Sequence, residues 1–116
     1  MKVAILGAST KPDRYSHRAQ KLLMEKGHSV YPVSPTGAEV LGVSGLKEIP
    51  EGMDTVTLYV SEKNLLPVLD QLIAAKPRRV IFNPGTESET AVKQLSEAGI
   101  LTENACTLVL LNAGTF

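Results

Sequence analysis

The residues best suited to chemistry lie near the start of the chain. Gly7-Ala8-Ser9-Thr10-Lys11-Pro12 follows a short apolar run, Lys2-Val3-Ala4-Ile5-Leu6, and precedes a helical spacing that begins near Tyr15. A glycine turn between a strand and a helix is where phosphate-binding loops occur, because helix N–H groups and the helix dipole both favour an anion. Lys11, Arg14, His17 and Arg18 crowd this helix start, opposed by Asp13 alone. Cations beside the positive end of a helix dipole are mildly unfavourable unless an anion lies between them. The pattern points to a phosphate site built from loop N–H groups, Ser9, Ser16 and one or more of these cations. The competing reading is a solvated basic helix face.

The loop departs from an ordinary dinucleotide fingerprint. G-x-G-x-x-G would place glycines where this chain has Ser9 and Pro12. The end of the second expected strand, Val33-Ser34-Pro35, offers no carboxylate for a ribose diol. Both facts disfavour NAD, and no G-x-x-x-x-G-K-[ST] motif occurs. Catalytic candidates are few, and none is assigned. Cys106 is the lone thiol, has no evident base beside it, and reads as a packed cysteine. His17 reads as solvated. His28 follows Gly27 at a helix end, where the dipole favours a cation, so a capping role is expected. There is no H-x-x-x-H pair, no nucleophile elbow and no carboxylate dyad, and no metal site is expected. Asn83-Pro84-Gly85-Thr86 is either a second wall of the cleft or an ordinary strand-to-helix loop.

Charge supports a local rather than a global anion site. The chain of 116 residues has twelve Lys+Arg and twelve Asp+Glu, for a formal net charge of zero. That argues against a general nucleic-acid or membrane-surface binder. Residues 1–26 nevertheless hold six cations against two anions, and the acidic remainder balances them. The longest apolar runs are four residues, too short for a membrane span or a signal peptide, so a cytoplasmic location is expected. A single cysteine rules out an intramolecular disulfide and a multi-cysteine zinc site.

The elements that must position these residues follow from periodicity. Lys2–Leu6 suits a strand buried on both faces. Tyr15, Ala19, Leu22 and Leu23 share a helical face, with Gly27 as its cap. Residues 28–33 read as a second strand despite Pro32. A short edge strand is expected at Val40-Leu41 and a turn of helix near Leu46–Ile49. Thr55–Val60 is a strand. A helix carrying Leu65, Leu69, Leu72 and Ile73 follows, with Pro67 in its first turn and its cap near Asn64. Arg79–Phe82 is a strand. Thr86-Glu87-Ser88-Glu89 forms a capping box for a helix that ends at Gly99. Ile100–Thr102 is a last strand, and Thr107–Leu111 is ambiguous between strand and helix. This alternation predicts one α/β domain over residues 1–116. It is Rossmann-like and doubly wound: a mainly parallel sheet of five to six strands with helices on both faces.

The quoted residues resemble a known family. Gly7-Ala8-Ser9 with Pro12-Asp13-Arg14-Tyr15-Ser16, followed by Val30-Tyr31-Pro32-Val33-Ser34-Pro35, is similar to the stand-alone CoA-binding domain proteins. Their usual pattern is a G-A-S-x-x-P-x-R-x-S loop and a P-V-N-P strand end. Asn83-Pro84-Gly85 and Cys106-Thr107-Leu108-Val109 also resemble a branch of that family. The resemblance covers essentially the whole chain and implies a fold similar to the nucleotide domain of the succinyl-CoA synthetase alpha subunit. It implies that Gly7, Ala8, Ser9, Arg14 and Ser16 surround CoA phosphates, and that Val33, Ser34 and Pro35 pack near the adenosine. Two departures are Ser34 in place of the usual Asn, and Tyr59-Val60 where many members carry Phe-Arg.

The expected ligand is therefore CoA or an acyl-CoA. The candidate binding set is Gly7, Ala8, Ser9, Lys11, Arg14, Ser16, Val33, Ser34, Pro35 and Gly85. Binding without chemistry is the leading reading. The alternatives are a nucleotide-dependent enzyme (an oxidoreductase, or part of an acyl-CoA ligase) and an interaction protein that has lost the ligand. The expected partner is a small nucleotide, with no nucleic acid and no membrane; a homo-oligomer stays open. The missing acidic residue counts against an oxidoreductase. Succinyl-CoA synthetases carry their phosphorylated histidine in a separate domain absent here, which counts against a ligase.

Overall fold

A computed structural model describes all 116 residues. Five strands form one parallel sheet in the order β2-β1-β3-β4-β5: β1 Lys2–Leu6, β2 Ser29–Val33, β3 Thr55–Leu58, β4 Arg79–Phe82 and β5 Leu101–Asn104. The sheet is doubly wound, as expected, with its switch point between β1 and β3. Alternation along β1 explains the layers. Val3 and Ile5 pack with Leu23 of helix α1 (Tyr15–Glu25) and Leu111 of helix α5 (Thr107–Ala113). Ala4 and Leu6 face the larger cluster on the other side. That cluster includes Leu65 of α2 (Glu62–Leu65), Leu69 and Leu72 of α3 (Leu69–Ala74), and Leu95 of α4 (Glu89–Glu97). With both faces of β1 covered, apolar residues follow one another from Val3 to Leu6, which is why β1 reads as a continuous run.

The sequence misplaces several local features, each for a physical reason. Val40-Leu41 is not a sixth strand. Val40 and Val43 form a small antiparallel bridge of their own. No helix forms at Leu46–Ile49. Leu46 instead makes an isolated parallel bridge with Val33, donating its N–H to Pro32 O at 2.9 Å. Pro32 is tolerated because β2 is an edge strand. The helix carrying Leu65 to Ile73 starts three residues early, with Ser61 as cap. A 3₁₀ turn at Leu66–Val68 interrupts it, because Pro67 supplies no N–H to continue the ladder. Helix α4 is capped by Ser88, whose hydroxyl accepts from Ala91 N at 3.1 Å, and not by Thr86. The Thr86 hydroxyl is taken up by Asn83 O at 2.7 Å. The segment Thr107–Ala113 resolves as helix.

Candidate functional site

Helix α1 starts without a cap. Arg14 occupies the cap position and makes no capping bond, and the first turn contains no acidic residue. Arg18 is the first residue of the region whose N–H closes onto the helix, bonding Arg14 O at 3.1 Å. The N–H groups of Tyr15, Ser16 and His17 therefore have no backbone acceptor. Such a helix end attracts an anion through both hydrogen bonds and dipole.

The loop before α1 is shaped to approach this helix end. Gly7 has φ +93°, and a Cβ there would come 2.7 Å from the carbonyl oxygen of Tyr59 and 2.9 Å from Val60 Cγ1. Glycine is thus required where β1 passes the end of β3. The N–H groups of Gly7 and Ala8 both donate to Val33 O, at 3.0 and 3.1 Å, so they are not free for a ligand. The loop N–H contribution expected from the sequence must come from further along. The Ser9 hydroxyl accepts from Lys11 N at 3.1 Å, folding the loop back over the helix start.

Gly7, Ser9, Lys11, Arg14, Tyr15, Ser16 and Tyr59 line one cleft of about 390 Å³ at this point. Five of the ten expected binding residues meet there. Neither Lys11 nor Arg14 is paired with a carboxylate, since the chain's two ion pairs are Arg78–Asp54 and Arg79–Glu103. Val33, Ser34 and Pro35 lie in a second cleft of about 560 Å³, joined to the first through Gly7. Ala8 and Gly85 line neither cleft. Asn83 and Pro84 wall a smaller apolar pocket of about 200 Å³ with Tyr15, Tyr59 and Leu108. Asn83 is buried and fully used there. Its Nδ2 donates to Thr57 Oγ1 at 2.6 Å and Leu58 O at 2.8 Å, and its Oδ1 accepts from Thr107 N at 2.9 Å. It ties β3, β4 and α5 together at the carboxyl edge of the sheet.

Three side chains depart from the sequence expectation. Tyr15 is not core but 65% exposed, and it carries the Arg18 guanidinium 5.3 Å from its ring centre. The inward stripe of α1 is instead Ser16, Ala19, Gln20 and Leu23, which buries His17 beside it rather than leaving it solvated. His28 does not act as a cationic helix cap. Burial and the N-terminal ammonium push its pKa down, and its Nδ1 accepts from that ammonium at 3.2 Å. Cys106 is half-buried at the cap position of α5. No three His, Cys, Asp or Glu side chains gather as a metal site, and no helix is long and apolar enough to cross a membrane.

Tyr59 was not singled out as a ligand contact by sequence, yet it links two of the pockets. Burial pushes its hydroxyl up to about 12, partly offset by the nearby Thr107 and Thr57 hydroxyls and reinforced by Cys106. Neither threonine meets it in hydrogen-bonding geometry, and the two bond each other at 2.8 Å. The hydroxyl is therefore neutral and without a partner at the cleft wall. Unpartnered helix N–H groups and free cations suit a ligand with phosphate oxygens.

Known proteins agree with this architecture. The chain is 33% identical over 101 residues to the protein YneT of Bacillus subtilis (strain 168), covering 84% of this chain and 75% of that one. A crystal structure of an uncharacterized protein superposes with TM-score 0.94 at 47% identity, covering 99% of this chain and 97% of that chain. A hypothetical protein from Pyrococcus horikoshii OT3 gives TM-score 0.88 at 33% identity, covering 96% and 81%. The profile of the family described as CoA binding domain matches residues 1–112. The chain belongs to the CoA binding domain family.

Proposed function

We propose that this protein binds CoA or an acyl-CoA at the carboxyl edge of its sheet, across the β1/β3 switch point. The observation that carries this reading is the uncapped start of α1. Three N–H groups there lack acceptors, and two of their residues, Tyr15 and Ser16, line a cleft that also holds Ser9, Lys11 and Arg14 and no carboxylate. The diphosphate of CoA supplies the missing acceptors and charge. The second cleft, with Val33, Pro35, Val60 and Val68, offers an apolar bed for the adenine. The Asn83–Pro84 pocket, apolar and uncharged, suits the pantetheine arm. Ser34 in place of the family's asparagine still presents a hydroxyl, which here contacts Thr36 Oγ1 at 3.3 Å.

Calorimetric titration of the purified chain with CoA tests this. Binding is expected, and Arg14→Ala should weaken it by about 1.5–3 kcal/mol if the guanidinium bonds phosphate directly. No binding at millimolar CoA overturns the reading.

A further inference from the structure

The second cleft contains one charged side chain, and the sequence reading did not single it out. Lys47 lines it together with Val33, Ser34, Pro35, Val60, Asn64 and Gln71. Backbone bonds fix its place. The Val33–Leu46 bridge, with Ser34 N–H donating to Leu46 O at 3.0 Å, sets Lys47 beside Ser34. The stem of Lys47 crosses Gly37, where a Cβ would stand 3.1 Å from Lys47 Cγ and 3.7 Å from Cε. Gly45 passes so close to the carbonyls of Gly37 and Ala38 that no side chain fits on it. The loop is thus stapled under the lysine, and no carboxylate lies within ion-pair distance of its ammonium.

This placement matters because of what the end of β2 lacks. A free ribose diol is a pair of donors and calls for a carboxylate, as in NAD sites. Here the strand ends in Val33-Ser34-Pro35, and the one charged side chain lining the cleft is an ammonium with three donors and no acceptor. That chemistry suits a phosphomonoester on the ribose, not a bare diol. We propose that Lys47 is a specificity-determining residue that selects adenine nucleotides with a phosphorylated ribose over unphosphorylated ones. The inference rests on the CoA reading for the placement of the nucleotide. Its shared chemistry, a ribose phosphate, occurs at the 3′ position in CoA and the 2′ position in NADP.

The test is a titration of the full-length protein and of Lys47→Gln with CoA, 3′-dephospho-CoA, NADP and NAD. Lys47 is exposed and outside the core, so the variant should keep the melting temperature of the wild type. The wild type is expected to bind CoA about tenfold more tightly than dephospho-CoA, as one charge-assisted contact implies. Lys47→Gln should erase that gap by weakening CoA alone. Raised salt should narrow the gap in the wild type. Equal binding of CoA and dephospho-CoA by the wild type overturns the role of Lys47 while leaving CoA binding standing. So does a variant that weakens both ligands equally. A lysine-dependent preference for NADP over both NAD and CoA supports the role of Lys47 and overturns the CoA reading. Binding of none of the four overturns both.

Discussion

Helices α1 and α4 begin in opposite ways. Helix α4 closes its own N-terminus: Ser88 accepts from Ala91 N, and Glu89 places a carboxylate in the first turn. Helix α1 has no capping side chain, no first-turn acid, and Arg14 at the cap position. Both helices follow strands of the same sheet, so the difference is not imposed by the fold. A capped helix end satisfies its N–H groups locally, whereas an uncapped one with cations around it holds that capacity for something else. On the proposed reading, the stability forgone at α1 and kept at α4 is the trade of a helix end that takes a ligand against one that satisfies itself.

The sharpest way to break this contrast is to give α1 the start that α4 has. Arg14→Asp places an acceptor at a cap position whose backbone is already extended, with φ −76° and ψ 143°. The unliganded protein should gain about 1 kcal/mol in urea unfolding. CoA affinity in the same variant should fall more than about 100-fold, through the lost cation and the added repulsion. Opposite signs on stability and binding are the signature expected; a loss in both would refute the trade.

The contrast also depends on β1 delivering the chain to α1 through a turn that only glycine fits. Gly7→Ala adds a Cβ 2.7 Å from Tyr59 O at a left-handed φ. A cost of about 3 kcal/mol is expected in equilibrium unfolding, together with weaker CoA binding as the Tyr59 wall shifts. At α4 the matching change is Ser88→Ala. It removes the cap and the hydroxyl that donates to Glu62. Stability should drop by about 1 kcal/mol while CoA affinity stays unchanged, since Ser88 lies in none of the three pockets around α1. An affinity loss there would mean that helix starts are coupled, and the contrast would fail.

How much of this was legible beforehand follows the range of the forces involved. The strands β1 and β4 were legible because burial on both faces writes apolar residues at successive positions, and β3 because its Thr-Val-Thr-Leu run is β-branched. The gathering of Gly7, Ser9, Lys11, Arg14 and Ser16 around one cleft was legible because an uncompensated cluster of cations at a helix start is a local anomaly. Ala19 and Leu23 of the expected α1 face are core, but Tyr15, which satisfies the same helical spacing, is exposed over the cleft. Ser88 and Thr86 both satisfy cap chemistry, and only the tertiary bond from Thr86 to Asn83 O decides between them. Lys47 was illegible for a stronger reason. Its position depends on the approach of Gly45 to the Gly37 and Ala38 carbonyls and on the Val33–Leu46 bridge, contacts between residues that no periodicity relates.

The other end of α1 supplies the smallest effect. It closes as an α-helix should: Gly27 at φ +85° lets His28 N bond Leu23 O and Gly27 N bond Met24 O. A histidine just past a helix C-terminus is expected to be favoured as a cation. His28 behaves otherwise, because partial burial and the N-terminal ammonium both disfavour its charged form. With its folded pKa below the ordinary 6.5, the unfolded chain binds the extra proton more readily as pH falls. The stability tied to neutral His28 is therefore complete above 6.5 and is lost as pH drops through the lower folded value. Urea unfolding of the wild type should show that decline below 6.5, and His28→Gln should flatten it. An unchanged slope would mean that His28 titrates alike in the folded and unfolded chain, whereas a decline that steepens in His28→Gln would mean that the helix dipole favours its charged form and that both ends of α1 engage charge.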